Sequence, residues 1–135
     1  MPPSLGSFVE QRYADLARGD KEAFAAALAP DAEWHWPQGM ADTTVFRGRD
    51  EIRRGLDVWD ESWADFRMHL VEAIERVDRV LAVVHYSATG RISGAALDET
   101  IAHLWEFRDG RPARVRMFAD AAKAKERFLR ESPAG

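Results

Sequence analysis

The hydrophobic period of this chain changes halfway along it, and that change limits the folds open to it. In the first half, apolar residues recur at three- and four-residue spacing. From Phe66 to Phe118 the pattern is that of strands, with β-branched and aromatic residues broken by turn signals. A helical half followed by a strand half predicts an α+β arrangement, with helices gathered on one face of a curved antiparallel sheet.

The helical half divides at its own punctuation. Ser7, with Glu10 three residues on, predicts an N-cap and capping box, and Val9, Tyr13 and Leu16 follow on one face. Gly19 ends that helix. Asp20 caps a second, carried by Phe24, Ala27 and Leu28 and closed by Pro30. Residues 31–36 read as a short strand ending at Pro37, and a loop rich in Gly, Asp and Thr comes next. Gly48-Arg49-Asp50 then opens a third helix with Ile52, Leu56, Trp59 and Trp63 on one face.

Strands are predicted over 66–75, 79–90, 97–107 and 112–118, joined at Asp78, Gly94 and Asp109-Gly110. Asp-Gly is a strong hairpin signal. Residues 120–130 return to helix through Ala121, Ala124, Phe128 and Leu129. The 135 residues form one domain, 1–135, with 1–6 and 131–135 expected to fray. A strongly curved sheet with helices across its open side encloses a cone, and a terminal helix completes the order.

Tryptophan is the conspicuous ingredient of that cone. Five occur, at 34, 36, 59, 63 and 105. Each is large and carries one N–H donor, so a cluster in a small domain points to a lined cavity or an interface. The competing reading is a solid core filled by indole.

Composition narrows the remaining classes. The net charge of −4 and the lack of a long basic run argue against nucleic-acid binding. Cysteine is absent, which excludes disulfides, a thiol nucleophile and a Cys metal site. The four His, at 35, 69, 85 and 103, lack metal-ligand spacing. No phosphate loop or nucleophile elbow appears, so no cofactor is expected. The N-terminal residues lack the basic start and apolar run of a signal peptide. No stretch approaches the ~20 apolar residues that span a bilayer, so a cytoplasmic location is expected.

Five short segments carry a resemblance. They are Gly19-Asp20, Leu28-Ala29-Pro30-Asp31-Ala32-Glu33-Trp34, Phe46-Arg47-Gly48-Arg49-Asp50-Glu51-Ile52, Ala88-Thr89-Gly90-Arg91 and Phe107-Arg108-Asp109-Gly110-Arg111, completed by the last strand and Asp120. In this order the chain resembles an NTF2-like protein of the SnoaL-like branch, from about Phe8 to Phe128. The resemblance implies the cone fold, also called cystatin-like, and a homodimer formed through the sheet. It implies less about activity, because the family holds isomerases, cyclases, hydrolases, dehydratases and non-catalytic binders.

The candidate site residues follow from parity and from that resemblance. Strand alternation puts Trp34 and Trp36 on one face and Glu33 and His35 on the other, and the resemblance turns the Trp face inward. Trp36 stands where a ketosteroid isomerase has its Asp base, and indole cannot take that proton. His103 shares a face with Ile101, Trp105 and Phe107 and is the best candidate for a general acid or base. The alternative is a buried His satisfied by a neighbour. Asp120 is a candidate partner for His103 by analogy with SnoaL-type cyclases, or simply a helix cap. Tyr86 faces inward beside them as a possible donor to a ligand carbonyl. Trp34, Trp36, Trp59, Trp63, Trp105 and Met117 are expected to line the cavity, with Arg91 at its mouth. His85 is expected to face outward, and one bulge would reverse His35 or His69. Leu81, Val83, His85, Leu104 and Phe118 are the expected outer face of the sheet.

Two functions fit these residues. One is a binder of a small apolar, oxygenated ligand held by the Trp cluster. The other is a cofactor-independent cyclase or isomerase-type enzyme using His103.

Overall fold

A computed structural model describes residues 4–38 and 44–131. Helix α1 spans Leu5–Ala17 and is capped by Ser4, whose hydroxyl accepts from the Ser7 N–H at 3.1 Å. The helix therefore starts one turn before the expected Ser7 cap. Residues 5 and 6, expected to fray, are its first turn. The Gly6 N–H donates to the Glu75 carboxylate at 2.7 Å, which ties that turn to the sheet. Helix α2, Lys21–Ala26, is capped by Asp20 as expected, at 3.0 Å from the Ala23 N–H.

Strand β1 covers Glu33–Gln38 and strand β2 covers Thr44–Arg47. β2 was expected to be loop. It pairs antiparallel with β1, Trp34 opposite Phe46 and His35 opposite Val45. Of the expected loop, residues 39–43 lie outside the described residues. Helix α3 runs Arg49–Ser62 from Gly48, whose positive φ of 86° suits the residue without a Cβ.

Trp63 is not on that helix. Its backbone is already extended, and it opens β3, Trp63–Glu75. A left-handed Asp65 (φ 53°) then shifts the register, and Phe66, Met68 and Leu70 follow on the half-buried side. β4 (Arg79–Gly90), β5 (Ala96–Arg108) and β6 (Arg111–Phe118) continue the sheet, and α4 (Ala121–Glu131) ends it.

The strand order is β2-β1-β6-β5-β4-β3, with only the β1–β6 pair parallel. The register between β1 and β6 shifts at Pro37, between His35 and Gln38. Proline has no N–H to give the ladder.

Each face of the sheet is packed, by different helices. On the inner face Val80, Ala82, Val84, Ile101, Trp105 and Val115 join Val9, Tyr13, Phe24 and Ile52 from α1–α3. On the outer face Leu81, Ala102 and Leu104 pack under Phe128 of α4, with Ile74, Phe118 and Ala124 beside them. Leu81 and Leu104 do face outward, as expected. They are not free for a partner, because α4 covers them to 1% and 6% exposure. The run Val80-Leu81-Ala82-Val83-Val84 has no polar member, as a strand covered on both faces requires.

Candidate functional site: an aromatic cavity on the inner face

A cavity of about 120 Å³ lies between the inner face and the helices α1–α3. Its wall is mostly aromatic. Trp36 meets Phe46 edge-on at 5.7 Å and Trp59 at 5.2 Å, and Trp59 in turn meets Phe66 at 5.4 Å and Tyr86 at 5.9 Å. Gly55 of α3 completes this side. A Cβ there would come within 3.1 Å of the Phe46 ring, so glycine lets β2 close against the helix. Trp34, Met68, Met117 and His103 line the remainder.

The polar groups of the site form a chain. The Trp105 indole Nε1–H donates to Tyr13 Oη at 3.0 Å. Tyr13 Oη lies 2.7 Å from His103 Nδ1. Indole N–H can only donate, so the phenol accepts there and has its own proton free to give. Giving it to Nδ1 satisfies all three groups. The network thus assigns the proton of His103 to Nε2, which has no partner among the described residues.

Burial fixes the charge state of this chain. His103 is 1% exposed, and burial pushes its imidazole down to about 3. Burial pushes the Tyr13 phenol up, with the Trp105 hydrogen bond opposing. Tyr86 is pushed up to about 12, chiefly by burial and further by Glu99. At neutral pH the wall therefore presents neutral donors: His103 Nε2–H and the Tyr86 hydroxyl. A third is the Trp59 Nε1–H, also buried without a partner among the described residues.

One cation borders the cavity. Lys21 donates to Asp57 at 2.8 Å and also pairs with Asp60, and these contacts raise its pKa. Lys21 and Asp60 line both the cavity and a shallower outer cleft, so their ion pair stands between the two.

The expected site residues divide accordingly. Trp34, Trp36, Trp59, Met117, His103 and Tyr86 come together on one cavity. Trp63 does not line it; it leans on Trp59 from outside, rings 5.7 Å apart. Trp105 lies behind the wall, fully buried, where it serves the hydrogen-bond chain. Arg91 does not line the cavity itself; it lines the adjoining outer cleft with Lys21 and Asp60. Its guanidinium donates to the Asp60 carbonyl at 3.0 Å and so secures the end of α3.

Asp120 does not pair with His103. It is exposed and caps α4, accepting from the Lys123 N–H at 3.0 Å. It borders an outer-face cleft with Leu81 and Leu104, across the sheet from the His103 ring.

The other histidines lie elsewhere. His35 is bonded to Glu33 at 2.8 Å, and His85 faces outward to Thr100 and Asp98 at 3.0 and 2.9 Å. His69 is exposed. Among the described residues no cluster of three His, Asp or Glu could hold a metal ion, and no helix is long and apolar enough to cross a membrane. The contributors that sequence reasoning missed are Tyr13, Phe46, Phe66 and Met68, and Lys21 with Asp60. Tyr13 was legible only as a core position at helical spacing from Val9.

A cone-shaped α+β fold with a hydrophobic interior defines the class, and comparison with known proteins agrees. The SnoaL-like domain family matches residues 9–115, and the chain belongs to that family, a branch of the NTF2-like proteins. An NTF2-like protein from Burkholderia thailandensis has a similar structure, with TM-score 0.80, 27% identity, and 93% of this chain and 97% of that one covered. An NTF2-like protein of unknown function from Burkholderia pseudomallei gives 0.74, 26%, 93% and 95%. TerC, co-crystallised with polyporic acid, gives 0.72, 24%, 90% and 95%. No curated protein matches the chain.

Proposed function

We propose that this SnoaL-like protein binds a small apolar, oxygenated molecule in the aromatic cavity and acts as a cytoplasmic binding protein. The carrying observation is the cavity itself: about 120 Å³ walled by Trp34, Trp36 and Trp59 and furnished with donors rather than with a proton-exchanging pair. An engineered cavity of roughly 150 Å³ in another protein holds benzene, so this space is of single-ring size. That is narrower than the steroid-like and polyketide-like rings the family resemblance brings to mind. TerC with polyporic acid lends support, as a cone of the same fold that takes up an organic ligand.

The enzyme reading is weakened at its centre. A general base at His103 needs a free lone pair, and the hydrogen-bond chain puts the proton on the nitrogen that faces no partner. A general acid needs a proton to release near neutral pH, and a pKa of about 3 leaves the imidazole uncharged there. Asp120 is too far round the fold to correct either. What His103 can still do is donate a hydrogen bond.

Ethylbenzene is expected to shift the Trp emission of the folded protein, and Trp36→Ala to weaken that response more than Trp63→Ala does. Trp36 walls the cavity and Trp63 does not. Fluorescence titration of the three proteins measures this. An emission that no apolar probe moves would count against the binding reading.

A two-fold homodimer through the sheet belongs to the same proposal. Because α4 occupies the Leu81–Leu104 end, pairing would use the uncovered end of the outer face, where Val71 is 55% exposed near His69 and His85. Sedimentation velocity at micromolar concentration should return the dimer mass; a clean monomer would refute it.

A further inference from the structure

Two of the residues that line the cavity, His103 and Trp59, each carry a buried N–H without a partner among the described residues, and these two groups narrow what should fill it. His103 Nε2 and Trp59 Nε1 are both buried and both unbonded among the described residues. An unanswered buried donor is costly, so a ligand that answers both gains affinity that a hydrocarbon cannot. Neither group can accept. Indole never does, and the Tyr13 hydroxyl occupies the other nitrogen of the imidazole. A ligand that offers only donors would leave both orphaned.

Charge narrows the ligand further. Among the described residues lining the cavity Lys21 is the sole cation, and it is held by Asp57 and Asp60. A carboxylate inside would be desolvated with no free counter-charge. A cation would find aromatic faces but would also meet the positive ends of two N–H dipoles.

Resting on the binding reading above, we propose that the ligand is an uncharged, single-ring carbonyl compound. Its oxygen chemistry is that of a ketone, aldehyde or lactone, and its acceptors take the His103 Nε2–H and the Trp59 Nε1–H. The Trp105–Tyr13–His103 chain makes the first donor available by fixing the tautomer, so Tyr13 is a positioning residue. The aromatic wall supplies the apolar share of the affinity, and the two donors supply selectivity for oxygen over hydrocarbon.

The test uses four probes on the intact protein: ethylbenzene, acetophenone, benzoate and tetramethylammonium. Acetophenone has the shape of ethylbenzene with a carbonyl added. Calorimetry should show acetophenone bound at least about tenfold more tightly than either ion. Trp59→Phe, which keeps a ring but deletes the N–H, should lower the ratio of acetophenone to ethylbenzene affinity about 3–10-fold, whatever the smaller ring does to both. Acetophenone should also move the His103 Nε2–H proton resonance downfield, and ethylbenzene should not.

An acetophenone-to-ethylbenzene ratio that ignores Trp59→Phe, or acetophenone binding that leaves the His103 signal unmoved, overturns the two-donor assignment. So does tighter binding of benzoate or tetramethylammonium. If ethylbenzene binds in any of these cases, the binding reading stands and only the ligand chemistry is wrong. If none of the four binds, both fall together.

Discussion

Trp105→Ala is expected to destabilise the protein by about 3–5 kcal/mol, the range for removing a buried aromatic ring and leaving its volume empty. The indole is fully buried. It meets Tyr13 and Trp34 edge-on at 5.8 Å each and Phe24 at 6.2 Å. It also holds the Tyr13 hydroxyl at 3.0 Å, so its loss opens the core and frees the first link of the hydrogen-bond chain. For a domain of this size that amounts to roughly 10–20 °C in Tm. Trp105→Phe keeps most of the ring and loses the N–H, and should cost about half as much or less. Trp63→Ala, at a half-buried position outside the cavity, should cost about 1 kcal/mol. Urea unfolding of the three variants gives the order directly. A Trp105→Ala protein within about 1 kcal/mol of the parent would show that the inner core does not depend on this residue.

The second large effect is on the acid side of the stability curve. His103 stays neutral in the folded protein down to about pH 3, whereas its ordinary value is 6.5. Between those values the unfolded chain binds a proton that the folded chain refuses. Stability from this group is therefore complete above pH 6.5, falls as the pH drops through the window, and stops falling below about pH 3. At about 1.4 kcal/mol per pH unit the ceiling is about 4–5 kcal/mol.

His103→Gln removes the titration and keeps a polar side chain. The carboxylates titrate in both proteins, so the difference between the two isolates the imidazole. His103→Gln should be the less stable protein at pH 7, and its deficit should shrink or reverse by about pH 4. Denaturation curves that run parallel from pH 7 to 4 would mean that His103 is not the buried neutral group described here.

The sequence made the period change, the five strands of 31–36 and 66–118 and the shared faces of Trp34 with Trp36 and of His103 with Trp105 legible, because those depend on local alternation; that these faces and that of Tyr86 turn inward was implied by the family resemblance. It hid what depends on neighbours distant in the chain. Tyr13 and His103 are 90 residues apart, and no spacing rule pairs them. β2 was hidden by its length: four residues carry too little alternation to separate a strand from a loop. Trp63 lies four residues after Trp59, which is helical spacing, yet the chain turns extended at that residue. Ser4 and Ser7 are both fit to cap α1, and Glu10 favoured the wrong one. The apolar stripe of α4 was visible, but which face it covers was not. The unbroken run at 80–84 was the available sign that the outer face of β4 also needed cover.

The contact between α1 and the buried imidazole ties the protonation of the ring to the docking of a helix. The bond from Tyr13 holds one of the two ring nitrogens, while burial keeps the ring neutral. While α1 is docked, one ring nitrogen is occupied, the other is protonated, and the ring is 1% exposed. Opening of α1 would give the imidazole solvent and the freedom to exchange its proton, and would move its pKa back toward the ordinary range. Tyr13→Phe would free Nδ1 but keep the ring that covers it, so the imidazole would stay buried and neutral at pH 7, and only the opening of the helix would change that.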